Sequence, residues 1–516
     1  MDKLPLEVML EILSHLSPPP ECSWQPTPPL APYASISRRF QHVVESRILS
    51  GSTLKVSSDD LETFTSAFSD IPQKIHRRAM LRSLRYIVKL PPPSAGELRR
   101  MPDGAEKAVN NKVWTQGIVR LFDFLATWES VHQRVGTGGS GVSLEIGAWS
   151  MADQVGPRGF VSLRNRFTEV GFDADFLIDC DGGRRDGLSQ VGVIRHLEIG
   201  NGPYRRVDPT AAGVLARALP NLRGLTLWFY PVGQKMLEDR KKWRRDLAES
   251  LIVCAEGLVH LTTFNLLVMD REPQQECEPG RLVEEGERDE LSFALRKVSQ
   301  LPALRELSLG GQQILSRDLF EDGGGEDSGS WPSLVDVVVA MSWITPHGRW
   351  AITGDPGSVD ALSEDEEEET EEPEPGSNDS DTSDHVSQHT WSPREEGFIH
   401  EYTFRSEPVE SILEPFLTAM ARATTRMPKL QHIKLHMGDF TGLATIMVEY
   451  HGPGQDGPRW IINLHEGFAN WEIPPQLKAA LVESAAGEGG NVHLIRTRLQ
   501  ENSDGEEEDT VEKGTF

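Results

Sequence analysis

The chain has 516 residues, 38% of them hydrophobic and 25% charged, with a net charge of -27; it can bury a substantial core, as several parts rather than one compact unit. Fourteen acids and no Lys or Arg fall within 355–387, and seven acids with one Lys within 501–516, so the charge is concentrated in two appendages. A mildly acidic body with acidic appendages argues against a general nucleic-acid or anionic-membrane binder, since both need a cationic face.

The amino terminus opens on a helix. Pro5 suits a first helical position, Glu7 complements the positive helix end, and Val8, Ile12, Leu13 and Leu16 recur at helical spacing over 5–16. Seven prolines in 17–32 bar any regular element there. A second amphipathic helix is expected from Ile36, Phe40, Val43, Val44 and Ile48, and helices at 59–69 and 76–90 complete an all-helical region over 1–93. Cys22, Cys180, Cys254 and Cys277 lie far apart without a CxxC pair, too sparse for a disulfide scaffold or a structural zinc. No basic stretch followed by an apolar one opens the chain, and nowhere do eighteen apolar residues run together, so cytoplasm or nucleus is the expected location.

The segment LPLEVMLEILSHL (4–16) resembles the opening of the F-box motif, Leu-Pro-x-Glu followed by hydrophobics on a helix, and LAPYASISRRFQHVVES (30–46) resembles its second half as found in large fungal F-box proteins. Two features depart from that pattern: the proline-rich insertion is long, and Phe40 stands where the family often has Trp.

Beyond the helical region one template recurs. LPNLRGLTL (219–227), LPALRELSL (301–309), WPSLVDVVV (331–339) and MPKLQHIKL (427–435) share an apolar residue, Pro, then Leu-x-x-apolar-x-apolar, and IRHLEI (194–199) and LTTFNL (261–266) fit its second half. Helical candidates at 209–219, 234–256, 288–299 and 407–427 alternate with these strands. The alternation resembles a leucine-rich-repeat array, in which no unit buries its apolar face alone; an ordinary α/β domain is the competing reading. The expected fold is therefore an α plus α/β chain: an all-helical F-box module over 1–93, an irregular leucine-rich-repeat-like solenoid over 94–354 and 396–500, a disordered acidic insertion over 355–395 and a disordered acidic tail over 501–516. Ser363 and Ser503 precede acids in a pattern acidophilic kinases prefer, although a solvated run is the plainer reading.

Motifs for chemistry are scarce. GTGGSG (136–141) matches GxGxxG, but a helix is expected before it and a strand after it, the reverse of a dinucleotide site. RKKWRR (240–245) reads chiefly as a solvated helix face, with nuclear import, a phosphate contact or docking of the chain's own acidic segments as alternatives. His432 and His436 share a strand face and His385 and His389 lie in the insertion, with no carboxylate or cysteine at metal spacing, so no metal site is expected. GxSxG and HExxH are absent, and neither catalytic residues nor a cofactor are expected.

The resemblance implies a non-catalytic, substrate-recognition subunit of a Skp-cullin-F-box ubiquitin ligase. Leu4, Pro5, Glu7, Val8, Ile12, Leu13, Leu16, Ile36 and Phe40 would bind the Skp adaptor, and through it a cullin, while the repeats hold a target protein. Alternation along the strands turns His196, Glu198, Thr226, Trp228, Asn265, Glu306, Ser308, Lys434 and His436 outward as candidate target contacts. A scaffold that binds the adaptor outside any ligase, and an enzyme with an accidental amino-terminal match, stay open.

Overall fold

The computed structural model describes residues 5, 8, 9, 11, 12, 35–93, 103–128, 141–150, 153, 169–173, 176, 187–200, 205–231, 236–270, 277–321, 329–354, 405, 407–438, 445–453, 457–465, 468, 471–485, 491–501 and 507–515. The chain divides into two compact units, one of 1–232, 243–267 and 297–308, the other of 233–242, 268–296 and 309–516. An α/β class is what the structure has, with nine helices among the described residues and a large mixed sheet.

In the first unit, helix α1 (Arg38–Gly51) starts at Ser37, whose hydroxyl accepts from the Phe40 N–H, and buries Phe40, Val43, Val44 and Leu49. Strand β1 (Thr53–Ser57), helices α2 (Leu61–Ala67) and α3 (Pro72–Met80) and strand β2 (Ser83–Lys89) follow. The expectation of an all-helical region over 1–93 is thus corrected. SLRYIVK buries Leu84, Tyr86 and Val88 and turns Arg85 and Ile87 outward, a period of two that belongs to a strand, and its bulky residues favour one. β2 pairs in parallel with β1 and, across position 93, with β3 (Val142–Trp149), reached through helix α4 (Gly104–Ala126).

Strands β4 (Glu169–Val170), β5 (Ile194–Ile199), β6 (Arg206–Val207), β7 (Gly224–Phe229) and β8 (Thr263–Val268) come next, with helix α5 (Pro209–Arg217) before β7 and α6 (Leu237–Gly257) before β8. The order β1-β2-β3-β5-β7-β8 follows the chain, and each pair with a defined register is parallel. β4 and β6 form a separate two-stranded ladder. Parallel neighbours need a crossover, and helices supply most of them.

The template is a turn followed by a strand. Leu222, Leu261 and Leu304 donate their N–H groups back to Leu219, Leu258 and Leu301 at 3.1 Å, closing a turn in which Pro, where present, holds the second position. Arg223 then donates to Arg195 at 2.7 Å, Thr262 to Arg223 at 2.7 Å and Arg305 to Thr262 at 2.8 Å, so one linkage repeats from strand to strand. Every template aliphatic position from 219 to 227 is buried. An aromatic cluster of Phe64, Phe68, Phe124 and Trp128 joins α2 to α4, with Phe68 and Trp128 stacked at 5.5 Å. The Arg78 guanidinium from α3 lies 5.4 Å from the Trp128 ring, donates to the Phe68 carbonyl at 2.6 Å and pairs with Asp70.

Helix α7 (Glu290–Ser299) precedes β9 (Glu306–Gln313), both of which pass from one unit to the other. The second unit then contains β10 (Asp336–Met341), the short antiparallel pair β11 (Ile352–Thr353) and β12 (Glu407–Pro408), helix α8 (Glu410–Thr424), and strands β13 (His432–Gly438), β14 (Thr445–His451) and β15 (Arg459–His465). Helix α9 (Pro475–Ser484) and strands β16 (Asn491–Glu501) and β17 (Glu507–Thr515) close it. β10–β13 and β15–β16 are parallel; β13–β14, β14–β15 and β16–β17 are antiparallel. The Leu430 N–H donates to Met427 at 3.0 Å, repeating the template turn.

The acidic insertion, with Ser363, His385 and His389, lies outside the described residues, as does Ser503; the chain on either side of it is paired where Ile352 and Thr353 of β11 meet Pro408 and Glu407 of β12. The acidic tail differs from expectation. Residues 507–515 form β17, in register with β16 from Glu501↔Glu507 to His493↔Thr515. A segment with few apolar residues can still satisfy its backbone on a strand that would otherwise be an unpaired edge.

Candidate protein-binding surfaces

Of the residues expected to bind an adaptor, Leu4, Glu7, Leu13 and Leu16 lie outside the described residues. Val8, Met9, Glu11 and Ile12 are helical, and the Met9 N–H donates to the Pro5 carbonyl at 3.2 Å. Met9 is fully buried while Val8 is 37% and Ile12 38% exposed, so these two, four residues apart, share an outward helix face. Ile36 is 43% exposed and Pro5 is exposed. Phe40 is corrected as a contact: at 2% exposure it belongs to the core that α1 buries, because it follows the same spacing as Val43 and Val44. Behind α1, Arg77 clasps Glu45 with two hydrogen bonds of 2.9 and 2.6 Å. Burial alone would raise the Glu45 carboxyl, but the Arg77 and Gln41 hydrogen bonds and the Arg77 and His76 charges outweigh it and hold it below its ordinary value.

The target-contact candidates divide between the units. In the first, His196 and Glu306 are exposed and Glu198, Thr226, Trp228, Asn265 and Ser308 half-buried, all on the side away from the buried template residues. Parallel register sets Lys55, Arg85, Glu145, Glu198 and Thr226 in one row across β1, β2, β3, β5 and β7. Arg85 donates to Glu145 at 2.6 Å, Asn265 to Thr226 at 3.3 Å and the Thr263 hydroxyl to Glu306 at 3.2 Å. Burial raises the Glu145 carboxyl, Arg85 opposes that, and the Glu198 charge adds to it, leaving it above its ordinary value. The His196 imidazole lies over Gly224, where a Cβ would come within 2.3 Å of Nδ1; partial desolvation of the ring against the sheet, although the residue as a whole is exposed, and then the Arg223 charge push its pKa down. The Trp228 indole N–H is buried without a hydrogen-bond partner among the described residues. Lys55 and Arg85 fall in the region expected to be helical, where the alternation of β1 and β2 was the available signal; Glu145 lies on β3, expected as a strand but outside the recurring template.

In the second unit, Lys434 and His436 are half-buried on β13, and Lys434 pairs with Glu449 of β14 at 3.1 Å. The expectation that no carboxylate accompanies His432 is corrected. Antiparallel pairing sets His451 directly opposite His432, with Glu449 on the same side and Asp336 of β10 against the His432 ring. His436 is opposite Met447 and outside that group.

RKKWRR begins α6, and its reading as a solvated face is also corrected. Arg240 is buried and paired with Asp270, Lys241 reaches Glu238 at 3.3 Å and Glu284 at 3.4 Å, and Trp243 and Arg244 are buried, leaving Lys242 and Arg245 exposed. Of GTGGSG only Gly141 is described. Among the described residues no helix is long and apolar enough to cross a membrane. No protein-family model matches the chain, and no curated protein matches it.

Proposed function

We propose that the chain is an F-box-type substrate receptor. In this reading its amino-terminal helix and Ile36 bind a Skp adaptor and through it a cullin, and the template strands form a leucine-rich-repeat-like array that carries a target protein. The observation that carries the reading is the pairing of the Leu4-Pro5-x-Glu7 motif with the outward side chains of Val8, Ile12 and Ile36, apolar groups a lone chain has reason to bury. The chain-order strands and the repeated Leu-Pro turn favour an array, because each unit leans on its neighbour. The receptor would act by proximity, raising the local concentration of a target's lysines at a ubiquitin-charged enzyme, in the cytoplasm or nucleus and with no catalytic residue or cofactor of its own.

The experiment is calorimetric titration of the full chain with the Skp adaptor, since an amino-terminal fragment ending at 93 would strip β2 of its β3 partner. Micromolar or tighter binding, weakened at least about tenfold by Val8→Asp/Ile12→Asp, is expected. Absent binding, or binding indifferent to that double substitution and to Ile36→Asp, sinks the proposal. If the adaptor binds but a cullin never joins the complex, the scaffold reading replaces the ligase one.

A further inference from the structure

The face of β13 and β14 gathers metal-ligating side chains that no part of the receptor reading uses. His432 and His451 are a direct cross-strand pair with ring centroids 5.4 Å apart. Glu449, two residues before His451, points to the same side because strand side chains alternate. One ligand atom from each of His432, Glu449 and His451 lies within 4.8 Å of the others. All three side chains are half-buried, sheltered enough to strengthen a charge interaction and open enough to admit an ion.

The surrounding groups fit the same reading. Asp336 Oδ1 lies 3.1 Å from His432 Nδ1, which orients the ring and leaves Nε2 for an ion, the arrangement in which a carboxylate holds a metal-bound imidazole. Glu449 Oε2 is 3.6 Å from His451 Nε2. Two cations compete: Lys434 Nζ holds Glu449 Oε1 at 3.1 Å, and Arg459 of β15 stands in register beside His451. An ordinary cross-strand ion pair accounts for Lys434 and Glu449 but gives no role to two apposed imidazoles, each flanked by a carboxylate.

We propose that His432, Glu449 and His451 bind one divalent transition-metal ion, zinc by ligand type, with Asp336 as the positioning residue and a fourth coordination position open to water. Two imidazole nitrogens and one carboxylate oxygen are a zinc donor set. Bond lengths of about 2.1 Å require the ligand atoms to close in from their present spacing, by rotation of the Glu449 side chain away from Lys434 and of the two imidazoles toward each other. The ion would clip β13 to β14.

The test is titration of chelator-treated, untagged full chain with zinc chloride by calorimetry, with cobalt(II) absorption as a second readout of coordination. The expected result is that His432→Gln/His451→Gln binds one ion fewer than the unaltered chain. Asp336→Asn should weaken that site by about 10- to 100-fold, and His436→Gln, on the same strand face but outside the group, should leave it unchanged. Lys434→Met, which keeps all three ligands and removes the cation that holds Glu449, should tighten it, and serves if the double variant misfolds. Absence of saturable binding below about 100 μM zinc, against the tight sites such ligand sets form, overturns the proposal. So does a double variant that is folded by circular dichroism and binds as many ions as the unaltered chain, or a Lys434→Met variant that binds no tighter.

Discussion

The first unit is built from parallel strands in chain order, the second from a parallel pair followed by strands that are mostly antiparallel. Parallel pairing repeats one linkage, the Leu-Pro turn and the hydrogen bond to the strand before, and brings together residues separated by a whole crossover. Antiparallel pairing needs no crossover and sets residues from adjacent stretches of chain face to face. The first arrangement yields a long polar row in register, from Lys55 to Thr226; the second yields a compact group, His432 with His451 and Lys434 with Glu449.

The largest test of that contrast is in the cores. Trp128 closes the cluster between α2 and α4, while Trp460 on β15 is fully buried and donates from Nε1 to Ser484 Oγ of α9 at 2.9 Å. Trp128→Ala and Trp460→Ala should each cost about 3–5 kcal/mol in chemical denaturation, as large-to-small changes at filled sites do. A loss below about 1 kcal/mol at either site would mean that its helix is not anchored on that ring.

A smaller effect separates two reasons for a glycine in or beside a strand, a left-handed backbone and a close approach. Gly200, after β5, has φ +85°, and a Cβ there would fall 2.3 Å from the Trp228 carbonyl oxygen; Gly311, within β9, has φ +81° and would meet the Val268 carbonyl oxygen at 2.2 Å. Gly200→Ala and Gly311→Ala should each cost about 2 kcal/mol, through left-handed backbone and collision together. At the end of β14, Gly452 would meet the Leu430 carbonyl oxygen at 2.3 Å without a positive φ, so Gly452→Ala reports the close approach alone. Gly257, with open space around it, is the control: Ala there should be neutral or stabilising by under about 1 kcal/mol. Equal midpoints for all four variants would remove the distinction.

How much was legible follows the same contrast. All six template segments are strands, and the four helices expected between them are present, because the Leu-Pro turn, the alternation and the helical spacing are local signals that agree. β2 was misread because Leu84, Tyr86 and Val88 continue directly from the helix ending at Met80, and a short apolar run fits either period. β17 carries almost no apolar signal; its pairing depends on the edge that β16 offers. The partners of His432 were out of reach for another reason. His451 and Glu449 meet it through a hairpin register that sequence spacing does not specify, and the carboxylate at metal distance is supplied by tertiary structure. Of the adaptor-contact candidates, Val8, Ile12 and Ile36 are exposed and Phe40 is buried, and helical spacing, which suits both placings, does not tell them apart.

The smallest prediction sets two cross-strand ion pairs against each other. Arg85–Glu145 bridges parallel β2 and β3 at 2.6 Å, with Glu145 nearly covered; Lys434–Glu449 bridges antiparallel β13 and β14 at 3.1 Å. Burial, with Glu198 alongside, lifts the Glu145 carboxyl above its ordinary value despite Arg85. A carboxyl whose folded pKa lies above its unfolded value favours the folded state in its protonated form. Its contribution is therefore fully present below the unfolded value of about 4.3 and is lost as pH rises through the folded value. Glu145→Gln mimics the protonated form, so at pH 7 it should melt no lower than the unaltered chain and up to about 1 kcal/mol more stably, an advantage that disappears near pH 4. Glu449→Gln removes one half of a half-buried cross-strand pair and should cost about 0.2–1 kcal/mol at pH 7 in metal-free buffer. Melting curves at the two pH values decide it: a Glu145→Gln variant that melts lower at pH 7 would mean that the Arg85 partnership, rather than burial, governs the parallel row.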